Sequence, residues 1–164
     1  MIPEEAVAKW QAIYEQSLAM IDPTPDEIWN GGGFLYEDGR PSWRSLCDLR
    51  TIHMGGGRQN GKNTWAREFM AAHPKAIMVE CNAGLRDITV DHWRGPGDGR
   101  LRVFTIMDIV SISKHSYEDK LTFLSEASHI IFNDASHNVA LPSTQFSHAA
   151  NGLFTKDVIV IRLG

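Results

Sequence analysis

Cysteine is scarce in this chain: only Cys47 and Cys81 occur, far apart and in no CxxC pair. That spacing excludes a disulfide framework and a thiolate zinc cluster, and makes a reducing cytoplasm the expected setting. Basic charge is also in short supply, with 16 Lys and Arg against 20 Asp and Glu and a net charge of −4. There is no global electrostatic footprint for nucleic acid, which leaves only a local basic patch open. No apolar run approaches the roughly 18 residues a membrane helix needs. The opening MIPEEAVAKW is too acidic and too polar for a signal peptide. The seven histidines fall at no metal-ligand spacing, so no zinc site is expected. Internal repeats and low-complexity segments are absent as well.

What remains is the composition of a soluble globular protein, with 43% hydrophobic and 22% charged residues over a length that fits one domain with a real core. Residues 3–21 predict an amphipathic helix, because Val7, Trp10, Tyr14, Leu18 and Ile21 recur at spacings of three and four. Pro3, Glu4 and Glu5 suit its first turn. The following DPTPDEIWNGGGFLYEDGRPSW is rich in Pro and Gly and reads as irregular, with Thr24 or Asp26 capping a short turn. Gly31–Gly33 reads as a flexible turn, since no lysine follows it. Residues 1–45 are thus expected to be a helix and lead-in packed on a core of 46–164.

Within that core, strand and helix patterns alternate. LRTIHM, AIMVEC, RVFTIMDIV (102–110), HIIFND (129–134) and DVIVIRL (157–163) read as strands; NTWAREFMAAH and SYEDKLTFLSEA (116–127) read as helices, the latter with Tyr117, Leu121 and Leu124 on one face. Such alternation predicts an α/β fold in three layers, a mainly parallel sheet covered by helices on both faces.

Between the first strand and the first core helix lies MGGGRQNGKNTW. Gly56, Gly57, Arg58, Gln59, Asn60, Gly61 and Lys62 fit GxxxxGK in the strand–loop–helix context that gives the pattern meaning. Glycines let backbone N–H groups turn inward around phosphate oxygens, and the next helix aims its positive end at them. Lys62 would reach the β- and γ-phosphates of a nucleotide. The alternative is a glycine-rich turn with an incidental lysine. A Ser or Thr hydroxyl normally follows the lysine and ligates Mg²⁺. Here Asn63 stands there, whose amide oxygen can also ligate a hard cation, and Thr64 comes one place later.

Arg58-Gln59-Asn60-Gly61-Lys62-Asn63 resembles the Walker A motif of large terminase subunits from tailed phages, over about ten residues. The resemblance implies a P-loop ATPase-type core in which asparagine after the lysine is a tolerated variant. A full terminase is far longer and carries a nuclease domain, for which this chain has no room.

HIIFND has the shape of a Walker B strand, an apolar run that leaves Asp134 at its C-terminal end, where ligands bind in open α/β sheets. Asp134 would hold Mg²⁺ directly or through water; the alternative is a core strand followed by a helix-capping aspartate. Asp134-Ala135-Ser136-His137 is similar to the DEAH-type box of helicases, with Ala135 at the glutamate position. In that family the glutamate orients the attacking water, which alanine cannot do. Glu80 is the best substitute carboxylate and Asp108 the second, unless both are structural. The same likeness allows His137 and Arg162, at the end of the last strand, to sense the γ-phosphate.

HWRGPGDGRLR places Arg94, Arg100 and Arg102 around a Gly/Pro turn. Mobile arginines can close over phosphates, or contact a nucleic-acid backbone with Trp93 stacked on a base; a solvated tip is the plain alternative. SHNVALPSTQFSHAANGLFTK reads as polar and mobile, with Ser143 and Gln145 as further contacts.

Three functions fit these residues. One is an ATP- and Mg²⁺-binding P-loop NTPase, phage-encoded and acting in the host cytoplasm on DNA through oligomerisation or a partner protein. Another is a small phosphotransferase, which needs no water-orienting glutamate. The third, suggested by Asn63 and Ala135 both standing off-pattern, is a nucleotide-binding switch or interaction protein that does not turn over.

Overall fold

The computed structural model describes residues 3–21, 28–29, 39–55, 61–115, 118–135 and 144–164. In chain order the elements are α1 (Pro3–Met20), α2 (Trp43–Leu49), β1 (Thr51–Met54), α3 (Lys62–Ala72), β2 (Ala76–Glu80) and α4 (Ala83–Asp91). Then follow β3 (Val103–Thr105), α5 (Ile106–His115), α6 (Glu118–Ser125), β4 (His129–Asn133), α7 (Thr144–Ala150) and β5 (Ile159–Leu163). The strands form one parallel sheet in the order β1-β5-β4-β2-β3. None of the described helices is long and apolar enough to cross a membrane.

Every β2 residue is buried, as a strand covered on both faces requires. Alternation along the strands divides the core in two. Ile52, Met54, Met78, Ile131, Ile161 and Leu163 meet α1 and α3 through Trp10, Tyr14, Trp65 and Phe69. Ile77, Val79, Ile130, Phe132 and Val160 meet α2, α5, α6 and α7 through Leu46, Ile109, Leu124 and Phe146. The chain therefore runs outward along β1, β2 and β3, then returns to β4 and β5 with its helices on the other face. The reversal brings β2 and β4 side by side, and their C-terminal ends form the crevice where such sheets hold ligands.

Helix α1 buries Ala6, Trp10 and Tyr14, an i, i+4 seam, whereas Leu18 is more than a third exposed at 37%. Its Gln11 accepts a hydrogen bond from Trp65 Nε1 at 2.9 Å, and Tyr14 OH meets His129 Nε2 at 3.2 Å. Gly61 is the N-cap of α3 with φ of 81°, and a Cβ there would fall 2.6 Å from Ala6 Cβ. Glycine is thus required at that position both by backbone conformation and by the approach of α1.

Several sequence expectations change. Only residues 103–105 of RVFTIMDIV are strand, and α5 starts at Ile106. Thr105 N donates to Asp108 Oδ2 at 2.8 Å while Asp108 N donates to Thr105 Oγ1 at 3.1 Å, a reciprocal cap that ends the strand and starts the helix. Helix α4, capped by Asn82 accepting from Leu85 N at 2.9 Å, was not anticipated. Helix α7 occupies part of the segment expected to be mobile and buries Phe146 and Ala150. Helix α2 spans the expected boundary between residues 45 and 46. Trp29 and Trp43, from the segment read as irregular, are core residues, and Trp43 packs on Phe132, Phe146 and Phe154 with ring centroids 5.7, 5.1 and 6.0 Å away. Thr24, Asp26, Gly31–Gly33, Tyr117 and Ser143 lie outside the described residues.

Candidate functional site

At the C-terminal end of the sheet, Met54 pairs with Leu163, Leu163 with Asn133, and Glu80 with Thr105. Glu80 and Asn133 lie one step beyond the Val79–Phe132 pair, so both point to the face covered by α3. Lys62 opens α3 above them, and its Nζ forms an ion pair with Asp134 Oδ1. Seventy-two residues of sequence separation close here because α3 starts where β1 ends and Asp134 follows β4.

Asn133 organises the polar row. Its Nδ2 donates to Asn63 Oδ1 at 3.2 Å and to Glu80 Oε1 and Oε2 at 3.2 and 3.3 Å. Thr89 of α4 donates to Glu80 Oε1 at 3.0 Å, so the buried carboxylate is oriented from two sides. Asn133 Oδ1 accepts from Asp134 N at 3.1 Å, supporting a backbone that enters the left-handed region at Asp134 with φ of 49°. A cavity of about 110 Å³ opens between α3 and α4 over this row, lined by Asn63, Arg67, Glu80, Thr89, Asn133 and Asp134 among others. That volume holds several water molecules.

Cys81 Sγ donates to the carbonyls of Asn133 and Asp134 at 3.6 and 3.5 Å. Burial pushes its thiol pKa up, the carboxylates of Asp134 and Glu80 add to the shift, and Lys62 opposes it. Through these two contacts Cys81 ties the end of β2 to the turn after β4.

The site residues expected from sequence are distributed as follows. Gly61, Lys62, Asn63, Asp134 and Glu80 come together. Thr64, next on α3, is exposed and does not line the cavity. Gly56, Gly57, Arg58, Gln59, Asn60 and His137 lie outside the described residues. Gln145 is exposed on α7.

Arg102 is no mobile lid. It is 2% exposed and donates to the carbonyls of Ala76, Met70 and His73 at 2.7, 2.8 and 2.8 Å and of Pro96 at 3.3 Å. It also lies 5.1 Å from the Trp93 ring centroid. Trp93 in turn is held between glycines, since Cβ atoms at Gly95 and Gly99 would fall 2.6 and 2.8 Å from it; the ring is not free to stack on a base. Arg100 pairs with Asp98 at 3.1 Å on the surface, and Arg94 is exposed on the same turn. Arg162 shares its register row with Phe132 and His53, on the face away from α3, so it does not join Lys62. Asp108 is engaged by Arg86 Nη1 at 2.8 and 2.7 Å beyond β3, which lies two strand spacings, about 10 Å, from β4.

Asn133, Thr89 and Arg67 were missed by sequence reasoning. Asn133 was the readable one, since strand alternation fixes its face once Asp134 is placed at the tip. A larger cavity of about 460 Å³ lies at the β3 edge around Arg86 and Asp108, remote from the Lys62–Asp134 pair. Among the described residues no group of three or more His, Cys, Asp and Glu side chains could hold a metal ion alone. Magnesium usually relies on one or two protein oxygens plus substrate phosphates, and the hard oxygens of Asp134 and Asn63 fit that pattern. No family model, curated protein or solved structure matches the chain, so the meaning of the site rests on its own residues.

Proposed function

We propose that this protein binds a nucleoside triphosphate at the start of α3 and transfers its γ-phosphoryl group, with water as the default acceptor. The observation that carries this reading is the buried Glu80 carboxylate, oriented by Thr89 and Asn133 in the same cavity as Asp134, whose carboxylate pairs with Lys62. In this reading the GxxxxGK loop amides and Lys62 bind the phosphates, and Asp134 with the Asn63 amide oxygen holds Mg²⁺, which neutralises phosphate charge when bound. Lys62 leaves Asp134 for the γ-phosphate when nucleotide enters. Glu80 accepts the proton of the attacking hydroxyl.

Support also comes from the reversal of the chain at β2 and β4, which puts Glu80 and Asp134 at the crevice favoured for ligands. The alternative of a non-hydrolysing switch draws on Asn63 and Ala135, both off-pattern, but Glu80 offers a carboxylate from the neighbouring strand. The terminase likeness adds coupling to DNA, which a core of this size would make with further copies or a partner.

Phosphate release from ATP·Mg²⁺ by the native chain and by Glu80→Gln tests the reading. The variant is expected to keep ATP affinity and lose about 10²- to 10⁴-fold in turnover. Equal turnover in the two proteins contradicts the role of Glu80.

A further inference from the structure

The cavity at Glu80 continues into a second one of about 230 Å³, and Arg67 and Thr89 line both. One wall climbs α3 from Asn63 past Arg67 to Ala71, about 12 Å at the helical rise. The other follows α4 from Leu85 and Ile88 to His92 and ends at Arg94. Leu85 and Ile88 are 38% and 53% exposed, an apolar lip beside a buried carboxylate. Two guanidiniums, Arg67 at the junction and Arg94 at the far end, line the second cavity with one carboxylate, Glu68. Neither arginine has an ion-pair partner among the described residues. The lining joins an apolar lip to convergent polar and charged groups, a combination suited to a small polar ligand.

We infer that this groove holds the second substrate of phosphoryl transfer, a small monophosphate ester bearing a free hydroxyl. The inference rests on the nucleotide reading above and deepens it. The ester's phosphate sits on Arg67 and Arg94, its body lies against Leu85 and Ile88, and its hydroxyl reaches Glu80. The hydroxyl oxygen bonds to the γ-phosphorus of the triphosphate as the bond from that phosphorus to the bridging oxygen breaks. The nucleoside diphosphate leaves with the bridging oxygen, and the hydroxyl proton passes to the Glu80 carboxylate. Nucleoside monophosphates and sugar phosphates share the required chemistry.

Calorimetric titration of the full chain tests this with AMP, GMP, CMP and UMP in one arm, ribose 5-phosphate in another and inorganic phosphate as control. Each probe is then incubated with γ-labelled ATP·Mg²⁺. One arm is expected to bind alongside ATP and acquire label. Arg94→Ala should weaken that probe at least about tenfold, with ATP affinity and melting temperature unchanged. The inference is overturned if no probe binds a protein that binds ATP, if the probe competes with ATP, or if the Arg94→Ala protein binds it normally. Label released only to water also overturns the acceptor role while leaving the nucleotide reading intact. Failure of ATP itself to bind removes the nucleotide reading and the acceptor role together, and titration of the probes into ATP-free protein tells that outcome apart from a failed groove.

Discussion

At Asp134 the backbone enters the left-handed region directly after β4, and the residues on either side of that turn part company. Asn133 and the Asp134 carboxylate stay with α3, where Asn63 and Lys62 meet them. Ala135 is carried to the other face. Its N–H donates to Leu163 O at 3.0 Å, and its methyl group is 8% exposed within the cluster of Trp43, Phe132 and Phe146. Ala135 thus does not line the cavity beside Glu80. Ala135→Glu is therefore expected to lower stability by at least about 2 kcal/mol, because it buries an unpaired carboxylate. It should leave turnover per folded molecule no higher. Urea denaturation paired with phosphate release measures both, and a stable variant with raised turnover would contradict this placement. Lys62 and Asp134 were legible in the sequence because loop and strand patterns announce them. Arg102 was not, because nothing local says that its guanidinium will close four carbonyls.

Among the elements, compact apolar strands such as AIMVEC and HIIFND read correctly, and runs of ambiguous pattern did not. RVFTIMDIV carries apolar residues compatible with either state, and the Thr105–Asp108 cap decides for helix after three strand residues. Helix α4 hid because only Thr89 of its residues is buried, so the apolar stripe that would announce it is nearly missing. Yet α4 supplies the Thr89 hydroxyl to Glu80, which makes the site depend on the least legible helix. Helix α1 docks through an aromatic group in which Tyr14, Phe69, His73 and His129 meet edge to face or stacked. Burial, reinforced by the neighbouring His73, pushes the His129 pKa down to about 4. The unfolded imidazole titrates near 6.5, so between those values the unfolded chain binds the extra proton. Stability contributed by neutral His129 is complete above about pH 6.5 and is lost as pH falls toward about 4. Urea midpoints measured from pH 7 to pH 4.5 should fall more steeply for the native chain than for His129→Phe. The difference is about 2 kcal/mol once solvent screening of the partly exposed ring is allowed for. Identical slopes would show that His129 does not report on α1 docking.

For the molecule as a whole, the order β1-β5-β4-β2-β3 explains why a site exists where it does. The outward and returning halves of the chain cover opposite faces, and they separate over the ends of β2 and β4, where a cavity opens beside Glu80, Asn133 and Asp134. Alternating strand and helix patterns made the α/β class legible. The strand order was not, because nothing in a strand's own residues says that β5 will insert between β1 and β4. Asn63, Lys62 and Glu80 become neighbours only through that insertion and the β2–β4 pairing. In the function proposed above, this assembly binds a nucleoside triphosphate through Lys62. Titration calorimetry of ATP·Mg²⁺ into the native chain and into Lys62→Ala tests it most directly. Saturable binding by the native chain and a loss of at least about tenfold in affinity for the variant are expected. No binding by the native chain, or equal affinity in both, would contradict it.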